Sequence, residues 1–263
     1  MEAEAATDSN SIASDEETDR RPSLNTLALM RKATTPANIS SIAIEDWRSV
    51  IYKGVLLKNN TQKFWVDEKL HKNCFLVLPK ACDMDQRKKG SCLSIDQSKK
   101  GSCLSIDWSK KRSKKGSCLS WITENENCFR SVVDIHVIEL KKLSWLLIEG
   151  RFKTRALSPY TKYEVAFVVK LGTDFEWQCP VELELGLPDG TKQTHTEDLK
   201  LKPKEEWINL CAGEFWMCPD TVGTIYFALH GTSDPRKSGL ILRGVLIHPK
   251  EVKKFDAVEE EFL

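Results

Sequence analysis

Between Leu143 and Leu171 the chain alternates apolar and polar positions in two blocks joined by a corner. From Tyr163 onward, Tyr163, Val165, Phe167, Val169 and Leu171 fall on one side while Glu164 and Lys170 fall on the other, the period-two signature of a half-buried strand. Upstream, Leu143, Trp145 and Leu147 share one side and Leu146 and Ile148 the other. A segment apolar on both faces belongs inside a sheet. Pro159 fixes φ and removes a backbone donor, so Leu157-Ser158-Pro159 turns the chain between the two strands. Gly150 is expected where a strand bends or another backbone approaches.

The pattern recurs on either side. Val181, Leu183, Leu185 and Leu187 alternate with Glu182, Glu184 and Gly186 before the turn Pro188-Asp189-Gly190. Residues 55–57 and 64–66 read as a small hairpin joined by Asn59-Asn60, and 74–78, ended by Pro79, as a buried strand. Segments 207–211, 225–229 and 240–247 complete the set, separated by Ala212-Gly213, Pro219-Asp220 and Ser233-Asp234-Pro235, so that Cys211 and Cys218 straddle a turn. Residues 42–50 allow a short helix docking Trp47. Many short strands and no long segment of period 3.6 predict an all-β fold, an antiparallel β-sandwich.

The flanks differ in composition. Residues 1–46, rich in Ala, Ser, Thr, Asp and Glu, carry too little apolar surface to offset the entropy of ordering, and a disordered N-terminal arm is expected there. The folded domain then spans 47–252, and 253–263 form an acidic tail. Within the arm, Arg20-Arg21-Pro22-Ser23 resembles a site for basophilic kinases, which makes Ser23 a phosphorylation candidate; the alternative is an uninvolved tail.

A direct duplication interrupts the domain. Residues 88–98 and 99–109 differ only at Gln97 and Trp108, a partial third copy runs from Lys114 to Ser120, and an eroded one occupies Ala81 to Gln86. Such spacing does not suit a solenoid. One copy occupies the sheet and the rest loop out as a Lys-rich insertion over about 86–117, which the slow growth of closure entropy with length tolerates.

Charge is segregated. The formal net charge is +1, yet residues 1–19 hold seven acids and no base, whereas 87–115 hold ten bases against Asp96 and Asp107. Lys110, Lys111, Arg112, Lys114 and Lys115 crowd one hexamer that cannot be buried, a nuclear-import candidate set against a plain solvated charge run. No apolar run reaches the length of a membrane span and no secretion signal is visible, so the expected compartment is the cytosol, with the nucleus open. Nine cysteines, an odd number, then read as free thiols. Cys92, Cys103 and Cys118 owe their spacing to the duplication, no Cys-x-x-Cys occurs, and the five histidines are scattered, so no metal site and no cofactor are expected. With no Gly-x-Ser-x-Gly, phosphate loop, His-Glu-x-x-His or dinucleotide fingerprint, no enzyme is expected either.

Five stretches together carry a family resemblance: Trp145-Leu146-Leu147-Ile148-Glu149-Gly150; Leu157-Ser158-Pro159-Tyr160-Thr161-x-Tyr163; Glu206-Trp207; Gly213-Glu214-Phe215-Trp216; and Lys237-Ser238-Gly239-Leu240-Ile241-Leu242-x-Gly244-Val245-x-Ile247-x-Pro249-Lys250. The chain resembles the plant phloem protein 2 family, also called Nictaba-like lectins, over roughly residues 55–250. The resemblance implies a jelly-roll-like β-sandwich lectin domain that binds N-acetylglucosamine oligomers or N-glycan cores without catalysis, in cytosol, nucleus or phloem sap.

The resemblance also implies site residues. The family's first strand runs Ala-Arg-x-Leu-Ser-Ile-x-Trp, followed by Tyr-Trp-x-Trp, and its tryptophans line the sugar site. Here Leu104-Ser105-Ile106-Asp107-Trp108 supplies the better first match and Cys118-Leu119-Ser120-Trp121 keeps only the last tryptophan, so Trp108 and Trp121 become the candidates. Glu214 matches the glutamate of a Gly-Glu-Phe-Phe motif, and Asp220 approximates a second acid downstream. An aromatic platform with carboxylates at its edge is what a sugar's C–H face and hydroxyl rim require. Set against glycan binding are a sandwich-fold interaction protein of phloem or stress signalling that has lost its sugar site and a nucleic-acid binder using the Lys-rich repeat, the last expected least. Self-association is left open.

Overall fold

A computed structural model describes residues 23–34, 47–87, 119–129, 131–141, 145–177, 179–231 and 237–252. The two full repeat copies, with Trp108 and the basic hexamer, lie outside them, as does the acidic tail. In chain order the elements are α1 (Leu24–Met30), α2 (Trp47–Lys53), β1 (Val55–Leu57), β2 (Gln62–Val66), β3 (Asn73–Val77), β4 (Asp83–Arg87), β5 (Leu119–Cys128), β6 (Ser131–Leu140), β7 (Trp145–Lys153), β8 (Lys162–Glu176), β9 (Val181–Gly186), β10 (Lys192–Glu197), β11 (Trp207–Trp216), β12 (Thr224–Gly231) and β13 (Ser238–Pro249).

The strands form an antiparallel two-sheet sandwich. The five-stranded sheet runs β10-β9-β12-β7-β4, and the eight-stranded sheet centres on β13, which pairs β8 on one side and both β6 and β3 on the other. Strand β8 lies between β11 and β13, and its inward row is the one its alternation predicts: Tyr163, Val165, Phe167, Val169 and Leu171 are all fully buried. Opposite them Leu183, Leu185, Ile225, Phe227 and Leu229 close the core, with Phe167 edge-on to Phe227 at 6.1 Å between centroids. Burial of so many branched and aromatic side chains between the sheets is the main stabilising term.

Strand β7 sits between β12 and β4 with Leu146 and Ile148 inward. A one-turn 3-10 helix at Thr154–Ala156 then makes the corner into β8. Tyr163 ties that corner down: its hydroxyl donates to the Asn73 carbonyl at 2.9 Å and accepts from the Ser158 amide at 3.0 Å. Gly150 does stand at a close approach, but an aromatic ring makes it. A Cβ there would lie 2.4 Å from Cε2 of Phe227, its cross-strand partner.

The β5–β6 hairpin adds a partial third layer. Only Ile138–Leu140 pair with β13; the remainder brings Cys128, Ile135 and Val137 onto Leu56, Leu76, Leu78 and Val168 on the outward face of the eight-stranded sheet. Glu126 seals this small core from the hairpin, bound to Lys63 and to Arg243 at 2.6 Å each.

Four sequence expectations are corrected. Residues 23–34, inside the arm expected to be disordered, are ordered: Ser23 caps α1 by accepting from the Thr26 amide, Met30 is fully buried, and Thr26 donates to Asn73 at 3.2 Å. The short helix expected over 42–50 runs on past Val50 to Lys53, and its residues 42–46 lie outside the described ones. Ala212-Gly213 is no turn but a β-bulge inside a continuous β11, so Cys211 lies within the strand and Cys218 follows its end. Two partial copies, rather than one, reach the sheets: the eroded copy overlaps β4 and the partial third copy supplies the start of β5. Strand β10, wholly polar, had no periodic signal and was not expected.

Candidate functional site

Three strands end together on the outward face of the eight-stranded sheet. Glu214 on β11 pairs across to Glu164 on β8, and Glu164 pairs to His248 on β13. Two carboxylates directly opposite each other repel. Lys250 offsets this by binding Glu214 and standing 3.5 Å from Glu164, while Lys162 reaches Glu214 at 3.5 Å and His248 Nε2 lies 3.2 Å from Glu164. Burial alone would raise the Glu214 carboxyl, but its contacts with Lys250 and Lys162 outweigh that and hold it below the usual carboxylate range.

Next along the same face stands Trp216, 37% exposed and paired across to Lys162. The bulge at Cys211/Gly213 sets this direction, since an extra residue reverses the alternation: Leu210 and Ala212 point inward before it, Phe215 after it, leaving Glu214 and Trp216 outward. Beyond β11 a one-turn 3-10 helix at Pro219–Thr221 folds back. Its Thr221 hydroxyl donates to the Trp216 carbonyl at 2.8 Å and accepts from the Cys218 amide at 2.9 Å, so exposed Asp220 is carried on a turn pinned to the strand end. Tyr160, 79% exposed, donates its amide to Met217 at 2.8 Å on the neighbouring loop. The arrangement joins a half-exposed indole, two carboxylates and two ammonium groups on one strand-end surface.

The register places the expected site residues apart. Trp121 on β5 is 39% exposed, with its ring edge-on to His136 at 6.3 Å. Following the pairs Trp121, Ile138, Leu242, Val169 and Ile208 leads four strands across the sheet, and Trp216 lies eight positions further along β11. At ordinary strand spacings that is roughly 30 Å. Glu214 and Trp216 therefore face the same way at the end of β11, with the turn that carries Asp220 following it, whereas Trp121 does not join them, and Trp108 is outside the described residues. Ser23, exposed, caps α1.

A family model described as Phloem protein 2 matches residues 93–249. The chain belongs to the phloem protein 2 family. Among its curated relatives is Protein PHLOEM PROTEIN 2-LIKE A1 of Arabidopsis thaliana, 32% identical over 86% of this chain and 81% of that one. Another is PHLOEM PROTEIN 2-LIKE A2 of the same plant, 39% identical over 46% of this chain and 63% of its own length. A protein named Lectin from Luffa acutangula is 28% identical over 75% of this chain and 81% of that chain.

Within this phloem protein 2 domain two side-chain groups bring possible metal donors within 4.8 Å of one another: Glu164, Cys211 and Glu214, and Glu182, Glu184 and His230. Lysines already stand against both, Lys250 and Lys162 at the first and Lys192 at 2.9 Å from Glu184 at the second. Ammonium groups thus already offset the charge of Glu164, Glu214 and Glu184. Among the described residues no helix is long and apolar enough to cross a membrane.

Proposed function

We propose that this phloem protein 2 family member is a carbohydrate-binding lectin whose site is the end of β11, with Trp216 as platform and Glu214 and Asp220 at its edge. The observation that carries the reading is the shared outward face of Trp216 and Glu214, created by the bulge. An indole offers an apolar surface to the C–H face of a pyranose. Carboxylates of Glu214 and Asp220 accept from sugar hydroxyls, and the ammonium groups of Lys162 and Lys250 donate to hydroxyl or acetamido oxygens. The relatives named as lectins support the class of ligand.

The finer proposal is that N-acetylglucosamine oligomers or N-glycan cores are the ligands, bound without catalysis in cytosol, nucleus or phloem sap. Trp108, outside the described residues, is kept as a second candidate platform on the family motif alone. A glycan array of the full chain tests the class: specific binding to N-acetylglucosamine-containing spots supports it. Silence on every glycan would favour the alternative of a sandwich that serves as an interaction module.

A further inference from the structure

A cleft of about 350 Å³ lies at the opposite end of β8 from the Trp216 surface. Thirteen positions along one strand separate Lys162 from Phe175, roughly 40 Å at the usual rise. One wall is Phe175 and Trp177, whose rings stack at 6.2 Å and 17°. The other is the segment after β10, which presents Lys200, Lys202 and Lys204 at alternate positions above buried Leu199. Glu176 is the acid among the lining residues, and Lys202 is paired with Glu197 at 2.8 Å.

The aromatic wall is not a free platform for a neutral sugar. The ammonium of Lys204 stands 5.9 Å from the Phe175 centroid, and that of fully buried Lys237 stands 5.4 Å from Trp177. The Lys204 ammonium over Phe175, with Lys200 on the same wall, makes the cleft favour negative charge over a bare C–H face. Trp177 is 3% exposed, and its indole Nε1 finds no acceptor among the described residues. The cleft is open to solvent and large enough for a body beyond a lone oxyanion.

We propose that this cleft is a second binding site, for a small anionic ester: a phosphate or sulfate group carried on a body of hexose size. Lys200 and Lys204, both exposed on the cleft wall, bind the anion as charge-assisted donors.

Calorimetric titration of the full chain with glucose 6-phosphate, glucose 6-sulfate, inorganic phosphate and glucose tests the proposal. At least one ester should bind, more tightly than inorganic phosphate, with affinity falling as salt rises, and glucose should give no heat. Comparing the two esters tells phosphate from sulfate as the source. Because both side chains are exposed, Lys200→Gln with Lys204→Gln should leave the melting temperature unchanged and weaken the ester at least tenfold. The proposal is overturned if neither ester binds at millimolar concentration, if glucose or inorganic phosphate binds equally well, or if the double variant binds unchanged. The outcome is independent of the lectin reading, since the two sites occupy opposite ends of β8.

Discussion

The side-chain amide of Gln193 makes both of its hydrogen bonds with the main chain of one residue, Glu214, accepting from its N–H at 2.9 Å and donating to its carbonyl at 2.7 Å. Gln193 belongs to β10 of one sheet and Glu214 to the edge strand β11 of the other, so the amide acts as a one-residue strand partner that closes the sandwich. The contact requires glycine at 213, where a Cβ would stand 2.3 Å from the Gln193 oxygen. Gln193→Ala leaves an inward N–H and carbonyl unpaired and should destabilise the fold by roughly 1–3 kcal/mol. Urea unfolding checks this, and an unchanged midpoint would mean the bond is not maintained.

Gly150 is fixed by Phe227. Gly150→Val forces a branched side chain into the ring and should cost about 1–3 kcal/mol. Adding Phe227→Leu should recover part of the loss in the same unfolding assay; no recovery would place the strain elsewhere.

Glu126 couples stability to pH. Burial alone would raise its carboxyl, but the hydrogen bonds and charges of Lys63 and Arg243 outweigh burial and hold it below its ordinary value of 4.5. A depressed carboxylate stabilises the fold fully above its unfolded pKa and loses that contribution as pH falls through the folded value. Stability should therefore decline below about pH 4.5 more gently in Glu126→Gln than in the parent, and the variant should be weaker at pH 7 by on the order of 2 kcal/mol. Parallel melting curves at pH 7 and pH 3.5 provide the check.

Thiol chemistry should single out Cys218 over Cys211. The hydroxyl and amide of Thr221 hold the Cys218 thiol below its usual value, whereas burial pushes Cys211 upward and drives Cys82 up to about 12. Thiolate is the reacting species, so brief iodoacetamide treatment at pH 7.5 should label the Cys218 peptide before those of Cys211 and Cys82. A bound sugar at Trp216 should slow it.

Much of the fold was legible because β3, β7, β8 and β9 each bury one or both faces, which writes a period into the sequence. Strand β10 reads Lys192-Gln193-Thr194-His195-Thr196-Glu197 and lies at a sheet edge with most side chains in water, so no apolar period marks it. Helix α1 was hidden by the polar composition around it, although Ser23 and the buried pair Thr26 and Met30 supply a cap and a docking face. The site was half legible. Glu214 and Asp220 came from the family motifs, but Trp216 did not, since alternation counted forward from buried Leu210 would turn residue 216 inward. The bulge reverses that count, and only the cross-strand register reveals it.

The central claim is that Trp216, beside Glu214, is the sugar platform. Titrating chito-oligosaccharide into the parent, Trp216→Ala and Trp121→Ala proteins tests it most directly. The account predicts saturable binding by the parent, a loss of about tenfold or more in Trp216→Ala, corresponding to about 1.4 kcal/mol, and parent-like affinity in Trp121→Ala. Parent-like binding by a folded Trp216→Ala, or loss confined to Trp121→Ala, would contradict it.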